Sequence, residues 1–192
     1  LTVGRLGDIR GRRRVFALGM VIFMVASVGA GAAQSGDLLI AARVIQGIGA
    51  AFILPTTLSS MNALFRGRER AIAFAVYGST IGGMAAVGPL VGGWLATDVR
   101  WRWAFWLNIP FGLLVLAGIM WALPETRDPD AERNLDLVGA LFIGVAMAGL
   151  VFVLIEAATY GWWQQKDGSL SPVPIVAVVA IASFLAFVRR EL

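Results

Sequence analysis

Six long apolar runs divide this chain of 192 residues. Each has close to the roughly 20 residues that a helix needs to cross the hydrocarbon core of a bilayer. Because backbone polar groups in lipid must be satisfied within their own segment, we predict helices for all six. The predicted fold class is therefore an all-α integral membrane protein, a bundle with six transmembrane helices. The predicted spans are residues 15–33, 38–64, 71–97, 103–123, 137–158 and 173–188.

The overall composition excludes an ordinary soluble domain. Apolar residues make up 58% of the chain and charged residues 15%, with a mean hydropathy of +0.78, whereas soluble domains are about 45–50% apolar and about 25% charged. The first run also resembles a secretory signal, because arginines precede it and Gly31-Ala32-Ala33 ends it. However, the run is too long for a signal, and five further spans follow it. The chain has no cysteine and no histidine, so a proton relay within it would need carboxylates.

Basic residues between the runs predict the orientation. Twelve of the 16 Lys and Arg residues lie in the segments 1–14, 65–70, 124–136 and 189–192. The alternate segments, at 34–37, 98–102 and 159–172, carry three. Short cytoplasmic loops are the ones enriched in Lys and Arg, so we predict that the first set is cytoplasmic. The same distribution explains the net charge of +4 without nucleic acid as a partner.

A glycine-punctuated basic segment opens the chain and is predicted to be a loop with turns at Gly4 and Gly11. It resembles the loop between the second and third spans of major facilitator superfamily transporters, with the pattern Gly-x-Leu-Ala-Asp-Arg-x-Gly-Arg-Arg. The matching residues are Gly4, Leu6, Asp8, Gly11, Arg12 and Arg13. The segment departs from the pattern at Gly7, where alanine is usual, and at Ile9, where the pattern has arginine. The resemblance implies a gating role, in which Asp8 latches the outward-facing state.

The second predicted span contains a charge. Arg43 and Gln46 are three residues apart and share a helix face, with Gly47 beside them. Arg43 lies only about 7 Å from the outer end of the predicted span, so one interpretation is an arginine that extends toward the interface. The alternative is a functional charge, since charged residues within spans are rarely idle. The sequence Arg-x-x-Gln-Gly-x-Gly-Ala is similar to the superfamily motif whose arginine is implicated in proton coupling.

The third predicted span is rich in glycine. Gly78, Gly82 and Ala86 repeat every four residues, which predicts a face that another helix can approach closely. Pro89 removes a helical hydrogen bond and is predicted to bend the span. Small-residue packing explains most of these glycines, but the stretch also resembles the Gly-Pro-x-x-Gly-Gly signature of proton-coupled exporters. The residues assigned to this antiporter motif are Gly82, Gly88, Pro89, Gly92 and Gly93.

The start of the fourth predicted span has the composition of an aromatic belt with a kink. It also resembles the Trp-Arg-Trp-x-Phe-x-x-Asn-x-Pro-x-Gly run of the fourteen-span drug/proton antiporter branch. The residues that carry this entry motif are Trp101, Arg102, Trp103, Asn108 and Pro110. Only a short segment separates this span from two more, as the extra central helices of that branch would require. Asn134 and Asp136 are predicted to cap the fifth span, and Ser171-Pro172 the sixth.

The resemblance implies a fragment of a major facilitator superfamily bundle, covering the third to eighth spans of a proton-coupled exporter in the plasma membrane. Residues 1–123 would belong to the N-terminal bundle, 124–136 to a cytoplasmic linker and 137–192 to two extra central spans. Its partners would be a small amphipathic or drug-like substrate, protons, the lipid bilayer and the missing remainder of the chain. A non-transporting scaffold or assembly subunit is the alternative.

No cofactor, metal or enzyme activity is expected, because the sequence has no phosphate-binding loop, metal-ligand cluster or nucleophile–base pair. Glu156 lies near the outer end of the fifth span and is predicted to be interfacial rather than a proton site.

Overall fold

The computed structural model describes residues 2–127, 136–163 and 169–191, with side chains from residue 6 onward. Nearly all of these residues are helical. The helices are α1 (Thr2–Arg10), α2 (Arg12–Ala32), α3 (Gly36–Leu64), α4 (Gly67–Trp94), α5 (Trp103–Trp106), α6 (Asn108–Ala122), α7 (Leu137–Tyr160) and α8 (Val173–Glu191), and a π-helical turn over Leu95–Val99 follows α4.

Six segments of the described chain are long and apolar enough to cross a membrane, which confirms the predicted all-α architecture with six spans. The observed segments are Arg12–Ala32, Gly36–Leu64, Gly67–Val99, Trp103–Ala122, Leu137–Tyr160 and Val173–Glu191. Several helices extend beyond the apolar runs, because arginines next to a run continue the helix with their charged ends outside the apolar stretch.

Most of the predicted basic loop at the start of the chain is helical, so that prediction is wrong for residues 2–10. Helix α1 passes through Gly4 without a turn, and the helix breaks only at Gly11, whose φ is 108°. A glycine within a helix costs about 1 kcal/mol relative to alanine, so two glycines do not end α1. The glycine pattern therefore marks one sharp turn, at Gly11, immediately before α2.

Polar side chains cap three of the long helices. Ser35 Oγ accepts a hydrogen bond from the Leu38 backbone at the start of α3, at 3.3 Å. Asp136 caps α7 by accepting from the Gly139 backbone at 2.9 Å, as predicted. The predicted cap at Ser171 is also present, where Oγ accepts from the Val173 backbone at 3.2 Å. The other predicted capping residue, at position 134, lies outside the described residues.

The fourth span is broken rather than continuous. Helix α5 ends at Trp106, Leu107 forms a turn and α6 begins at Asn108. Pro110 has no N–H group, and its ring crowds the carbonyl of Trp106 four residues before it, which accounts for an interruption at this point. The predicted kink is therefore located at Leu107.

The first packing unit contains α1 to α6, and its interior lies between α2, α3 and α6. Phe16, Met20 and Met24 of α2 form a buried cluster with Ile53, Leu116 and Ile119 around it. The backbones of α2 and α3 come into direct contact at Gly19 and Gly49. A Cβ atom on Gly49 would lie 2.7 Å from the Phe23 nitrogen and 2.8 Å from the Gly19 oxygen. This contact fixes the register of α2 against α3.

Helix α4 differs from its neighbours, because none of its residues is buried by the described part of the chain. Apart from the adjacent residues and nearby backbone of α4 itself, no described atom lies within 4 Å of a Cβ placed on Gly78 or Gly82. The close helix contact predicted for this face is thus not made by any described helix, and it stays a prediction.

The second packing unit is a hairpin of α7 and α8. A Cβ on Gly149 would lie 2.8 Å from the Ala180 Cβ, so the two helices pack closely at mid-length. At one end Arg190 Nε donates to Asp136 Oδ1 at 2.9 Å. At the other end Ser171 Oγ donates to the Gly161 carbonyl at 2.6 Å. The hairpin is therefore closed by hydrogen bonds at both ends.

Candidate functional site

An arginine–carboxylate cluster, formed by Asp8, Arg12 and Ser59, joins α1, α2 and α3. Arg12 Nε donates to Asp8 Oδ1 at 2.8 Å and to Ser59 Oγ at 2.7 Å. Ser59 Oγ in turn donates to Asp8 Oδ1 at 2.6 Å, and Arg12 Nη2 lies 2.7 Å from the same oxygen. Only 9% of Arg12 is exposed. The cluster therefore brings together two of the residues predicted for the gating segment, with a serine of α3 as a third member.

Glu125, which follows α6, lies against the start of α2. Its Oε1 accepts from the Arg13 backbone N–H at 3.2 Å, and its Oε2 lies 3.5 Å from Arg14 Nε. A Cβ on Gly11 would collide with this carboxylate, so only glycine leaves room for it. The negative charge also complements the positive end of the α2 dipole.

Two further contacts fasten the residues after α6 to α2. The Arg12 backbone N–H donates to the Thr126 carbonyl at 3.1 Å, and Arg13 Nη1 donates to the Leu123 carbonyl at 3.3 Å. The sequence analysis assigned residues 124–136 to a cytoplasmic linker and missed Glu125 and Thr126. One signal was available in the sequence. Glu125 is a carboxylate directly after an apolar span, and the run of three arginines before the first span favours a nearby negative charge.

A second polar group, which we call the Arg43 chain, connects α2, α3 and α6, with the exposed Arg43 at one end and the buried Ser27 at the other. Arg43 Nη1 donates to Gln46 Oε1 at 2.8 Å. Gln46 Nε2 donates to Ser27 Oγ at 2.6 Å, and Asn108 Nδ2 donates to the same oxygen at 3.2 Å. Ser27 is fully buried and Gln46 is 3% exposed. The predicted pair of Arg43 and Gln46 is therefore formed, and it connects to Asn108 of the entry motif.

Arg43 is exposed in the described structure, and its side chain extends along α3 rather than toward the start of the helix. Its hydrogen bond is to Gln46, which lies farther than Arg43 from the Gly36 end of α3, whereas an arginine that reaches for the interface would extend toward that end. Its guanidinium also lies 5.7 Å from the ring centroid of Phe105, a cation–π contact. Gly47 is exposed, with no described atom near its Cβ position, and takes no part in these contacts.

The entry motif fastens the opposite end of α2. Arg102 Nη2 donates to the Ala33 carbonyl at 3.0 Å, and its guanidinium lies 4.6 Å from the ring of Trp101. Trp103 packs edge-on against Trp106 with ring centroids 5.6 Å apart, and Trp106 occupies the space beside Gly31. These aromatic residues therefore do more than form an interfacial belt, because they position α5 against α2.

The antiporter motif forms no site with other described residues. Gly82, Gly88, Gly92 and Gly93 have no described atom within 4 Å of their Cβ positions, and Pro89 lies within α4. Within the described ranges, no group of three or more His, Cys, Asp or Glu side chains could hold a metal ion. Glu156 is half-buried, four residues before the end of α7.

Six candidate spans, with a part-buried arginine–carboxylate cluster and a polar chain that connects three of the helices, define a helical membrane protein. The model of the Major Facilitator Superfamily matches residues 1–190, and the chain belongs to this superfamily.

The relatives with similar sequences include proteins named for resistance or export. A puromycin resistance protein of Streptomyces alboniger is 39% identical over 93% of this chain and 35% of its own length. A multidrug transporter of Bacillus subtilis is 32% identical over 95% of this chain and 33% of its own length. A tetracenomycin C resistance and export protein of Streptomyces glaucescens is 31% identical over the whole chain and 34% of its own length. The chain spans about a third of the length of these relatives.

Proposed function

We propose that this chain is part of a proton-coupled exporter that moves small amphipathic or drug-like molecules outward as protons move inward. The Arg43 chain is the observation that carries the proposal. A positive charge within a span is costly, so it is rarely kept without a function, and here it contacts a buried amide and an aromatic ring. The names of the relatives, which refer to multidrug transport, antibiotic resistance and export, support the substrate class.

In this proposal Arg43 couples protons through its fixed charge. A carboxylate that approaches a guanidinium holds its proton less tightly, and it binds the proton again when the two separate. Arg43 has an amide and a ring as its partners, so it can exchange these contacts for a carboxylate supplied by the rest of the transporter. Gln46 accepts the hydrogen bond from Arg43 when the carboxylate is absent. Gly47, which has no side chain, leaves space for the carboxylate to approach.

The Asp8–Arg12–Ser59 cluster would act as part of the gate. It connects three helices at one end of the bundle through charge-assisted hydrogen bonds of 2.6–2.8 Å. Transporters of this kind rock two bundles around a site at the membrane midplane, and such a cluster keeps one bundle rigid during that motion. Gly4, Gly11 and Arg13 belong to the same segment, and the turn at Gly11 admits Glu125.

The remaining features complete the proposal. The basic helix ends face the cytoplasm, the protein lies in the cell membrane, and the chain has no enzyme activity of its own. Residues 1–123 belong to the N-terminal bundle, 124–136 form a linker and 137–192 form two additional central spans. The glycine face of α4, with Gly92 and Gly93, closes against another part of the transporter and sets the direction of export.

The proposal is tested by replacing Arg43 in the complete transporter. Arg43→Ala should abolish proton-driven efflux from cells or proteoliposomes while the protein still inserts at a normal level. Arg43→Lys should restore little, because lysine lacks the planar fork of donors. The matched control is Arg70→Ala, since Arg70 also lies 5.7 Å from an aromatic ring, that of Phe74, but at the start of α4. Normal efflux by Arg43→Ala would instead mean that Arg43 is not needed for coupling and only extends toward the membrane interface, whereas absence of efflux by the wild type would favour a scaffold.

The orientation is tested separately by thiol labelling. Single cysteines at Ser35 and Ser169 should react with an impermeant reagent from outside the cell. A cysteine at Asp130, which lies outside the described residues, should react only after the membrane is opened. Labelling of Asp130 from outside would reverse the proposed orientation without affecting the role of Arg43.

A further inference from the structure

Ser27 occupies the centre of the Arg43 chain, although no sequence motif includes it. Its hydroxyl oxygen accepts one hydrogen bond from α3, through Gln46, and one from α6, through Asn108. The side chain is fully buried. A hydroxyl oxygen has two lone pairs, so these two amide donors use its whole capacity as an acceptor.

The two ends of the Gln46 amide are not equivalent. With its NH₂ group on Ser27, the carbonyl oxygen of Gln46 faces Arg43. Rotation of the amide by half a turn would place NH₂ donors against the guanidinium, which has donors only. An acceptor at Ser27 and a donor at Arg43 therefore select the same orientation of Gln46.

We propose that Ser27 is a positioning residue for Arg43, and that it acts by orienting the Gln46 amide so that its carbonyl oxygen accepts from the guanidinium. Asn108 assists by filling the second lone pair of Ser27 and tying α6 to the same oxygen. This inference rests on the proposed function, because it assigns Ser27 to the coupling step of the same site. Without the serine hydroxyl, the amide has no fixed partner in α2, and Arg43 loses a fixed acceptor.

The first measurement is transport by the complete protein. Ser27→Ala should lower the maximal rate of proton-driven export about tenfold, the size expected for one lost hydrogen bond in the rate-limiting step. The apparent KM should change little and the pH profile should shift, whereas substrate exchange without a proton gradient should persist. Ser27→Thr keeps the hydroxyl and should restore most of the rate. Ser60→Ala is the matched control, since Ser60 is also a buried serine but lies outside the Arg43 chain.

The second measurement is the rate of chemical modification of Arg43, which does not require transport. Modification of purified protein by phenylglyoxal, followed by peptide mass spectrometry, should be several-fold faster at Arg43 in Ser27→Ala than in the wild type or Ser60→Ala. In a Gln46→Glu background the Ser27→Ala change should have no effect, because a carboxylate presents an oxygen to Arg43 in either orientation.

The outcomes separate the two proposals. Unchanged modification of Arg43 in Ser27→Ala, or an equal increase in the Gln46→Glu background, would overturn the positioning role of Ser27. Export by the wild type without any dependence on protons would count against the proposed function, and the modification rates would still decide the role of Ser27.

Discussion

Helices α3 and α4 are consecutive spans of 29 and 28 residues, and their surroundings differ sharply. Helix α3 has three glycines, and one of them, Gly49, places its backbone against α2. Helix α4 has seven glycines, and none of them has a described atom within 4 Å of its Cβ position. Glycine content alone therefore does not locate a helix contact. The contact depends on what the opposing helix presents, which is a second glycine, Gly19, in the case of Gly49.

The buried residues of α3 lie along one stripe: Ala42, Gln46, Gly49, Thr56 and Ser60. Their spacing of three, four or seven residues is typical of a helix that packs on one side. Helix α4 has no such stripe within the described structure. We therefore expect α3 to be a structural element of this bundle and α4 to be available to the rest of the transporter. Three predictions test this difference, and a fourth concerns the start of α7.

The largest effect is expected at the backbone contact of α3. Gly49→Leu should lower the free energy of unfolding by about 3 kcal/mol or more, because its Cβ alone would overlap the backbone of α2. Gly47→Leu is the matched control, two residues away on the same helix and in open space. Unfolding of the complete protein in detergent gives both values. Equal stability of the two variants would mean that α2 and α3 do not meet at Gly49.

The second prediction compares the two glycines that begin α2 and α4 with positive φ. Gly11 has a φ of 108° and Glu125 beside it, whereas Gly67 has a φ of 52° in open space. Gly11→Ala should cost about 2 kcal/mol of stability, through backbone strain and displacement of the carboxylate. Gly67→Asn should cost much less, because asparagine tolerates the left-handed region. Thermal unfolding of the two variants checks the order, and a larger loss for Gly67→Asn would contradict it.

The third prediction separates stability from transport at the end of α4. Gly92→Leu and Gly93→Leu should change the stability by less than about 0.5 kcal/mol if α4 is as open as it is here. Export should nevertheless fall and protons should leak without substrate, because the proposed closed contact depends on packing between small residues. Gly→Ala changes should be milder. If the leucine variants unfold the protein, α4 is packed in the complete transporter as tightly as α3, and the comparison fails.

The smallest effect on stability is expected at the start of α7. This helix is capped by the side chain of Asp136, whereas α2 and α4 begin with glycines of positive φ. The hydrogen bond from Gly139, together with the ion pair to Arg190, lowers the pKa of Asp136. A carboxyl group with a lowered pKa stabilises the fold above its ordinary pKa, and this contribution is lost as the pH falls below about 4. The Tm difference between the wild type and Asp136→Asn should therefore shrink between pH 7 and pH 3. Arg190→Gln should remove only part of this pH-dependent stabilisation. A Tm difference that grows toward low pH would contradict the expected direction of the pH dependence.

The number and approximate position of the spans followed from the sequence, because lipid leaves few choices to a long apolar run. The caps at Asp136 and Ser171 could also be predicted, since a capping side chain bonds to the backbone within a few residues of its own position. The pairing of Arg43 with Gln46 could be predicted for the same reason, as one helical turn connects them.

Contacts between distant parts of the chain could not be predicted in this way. Ser59 of α3 and Glu125 after α6 meet the start of α2 only because the helices pack. Ser59 has no distinctive neighbourhood in the sequence, and the position of Glu125 after an apolar span does not show which arginines it meets. The helical state of residues 2–10 was missed because glycine was read as a turn signal, although its cost within a helix is small. Ser27 was missed because a lone serine in an apolar run gives no indication of two amides opposite it.

The hairpin of α7 and α8 begins at Asp136 and ends beside it at Arg190, since these two side chains share a hydrogen bond. Its entry and exit therefore lie at the same end of the hairpin, only a side-chain length apart. A segment with this geometry can be inserted into an ancestral chain, or deleted from it, without inverting the sidedness of any later helix. Gene rearrangements that exchange such a hairpin would preserve the topology of the host, which makes paired helices a natural unit of variation among transporters.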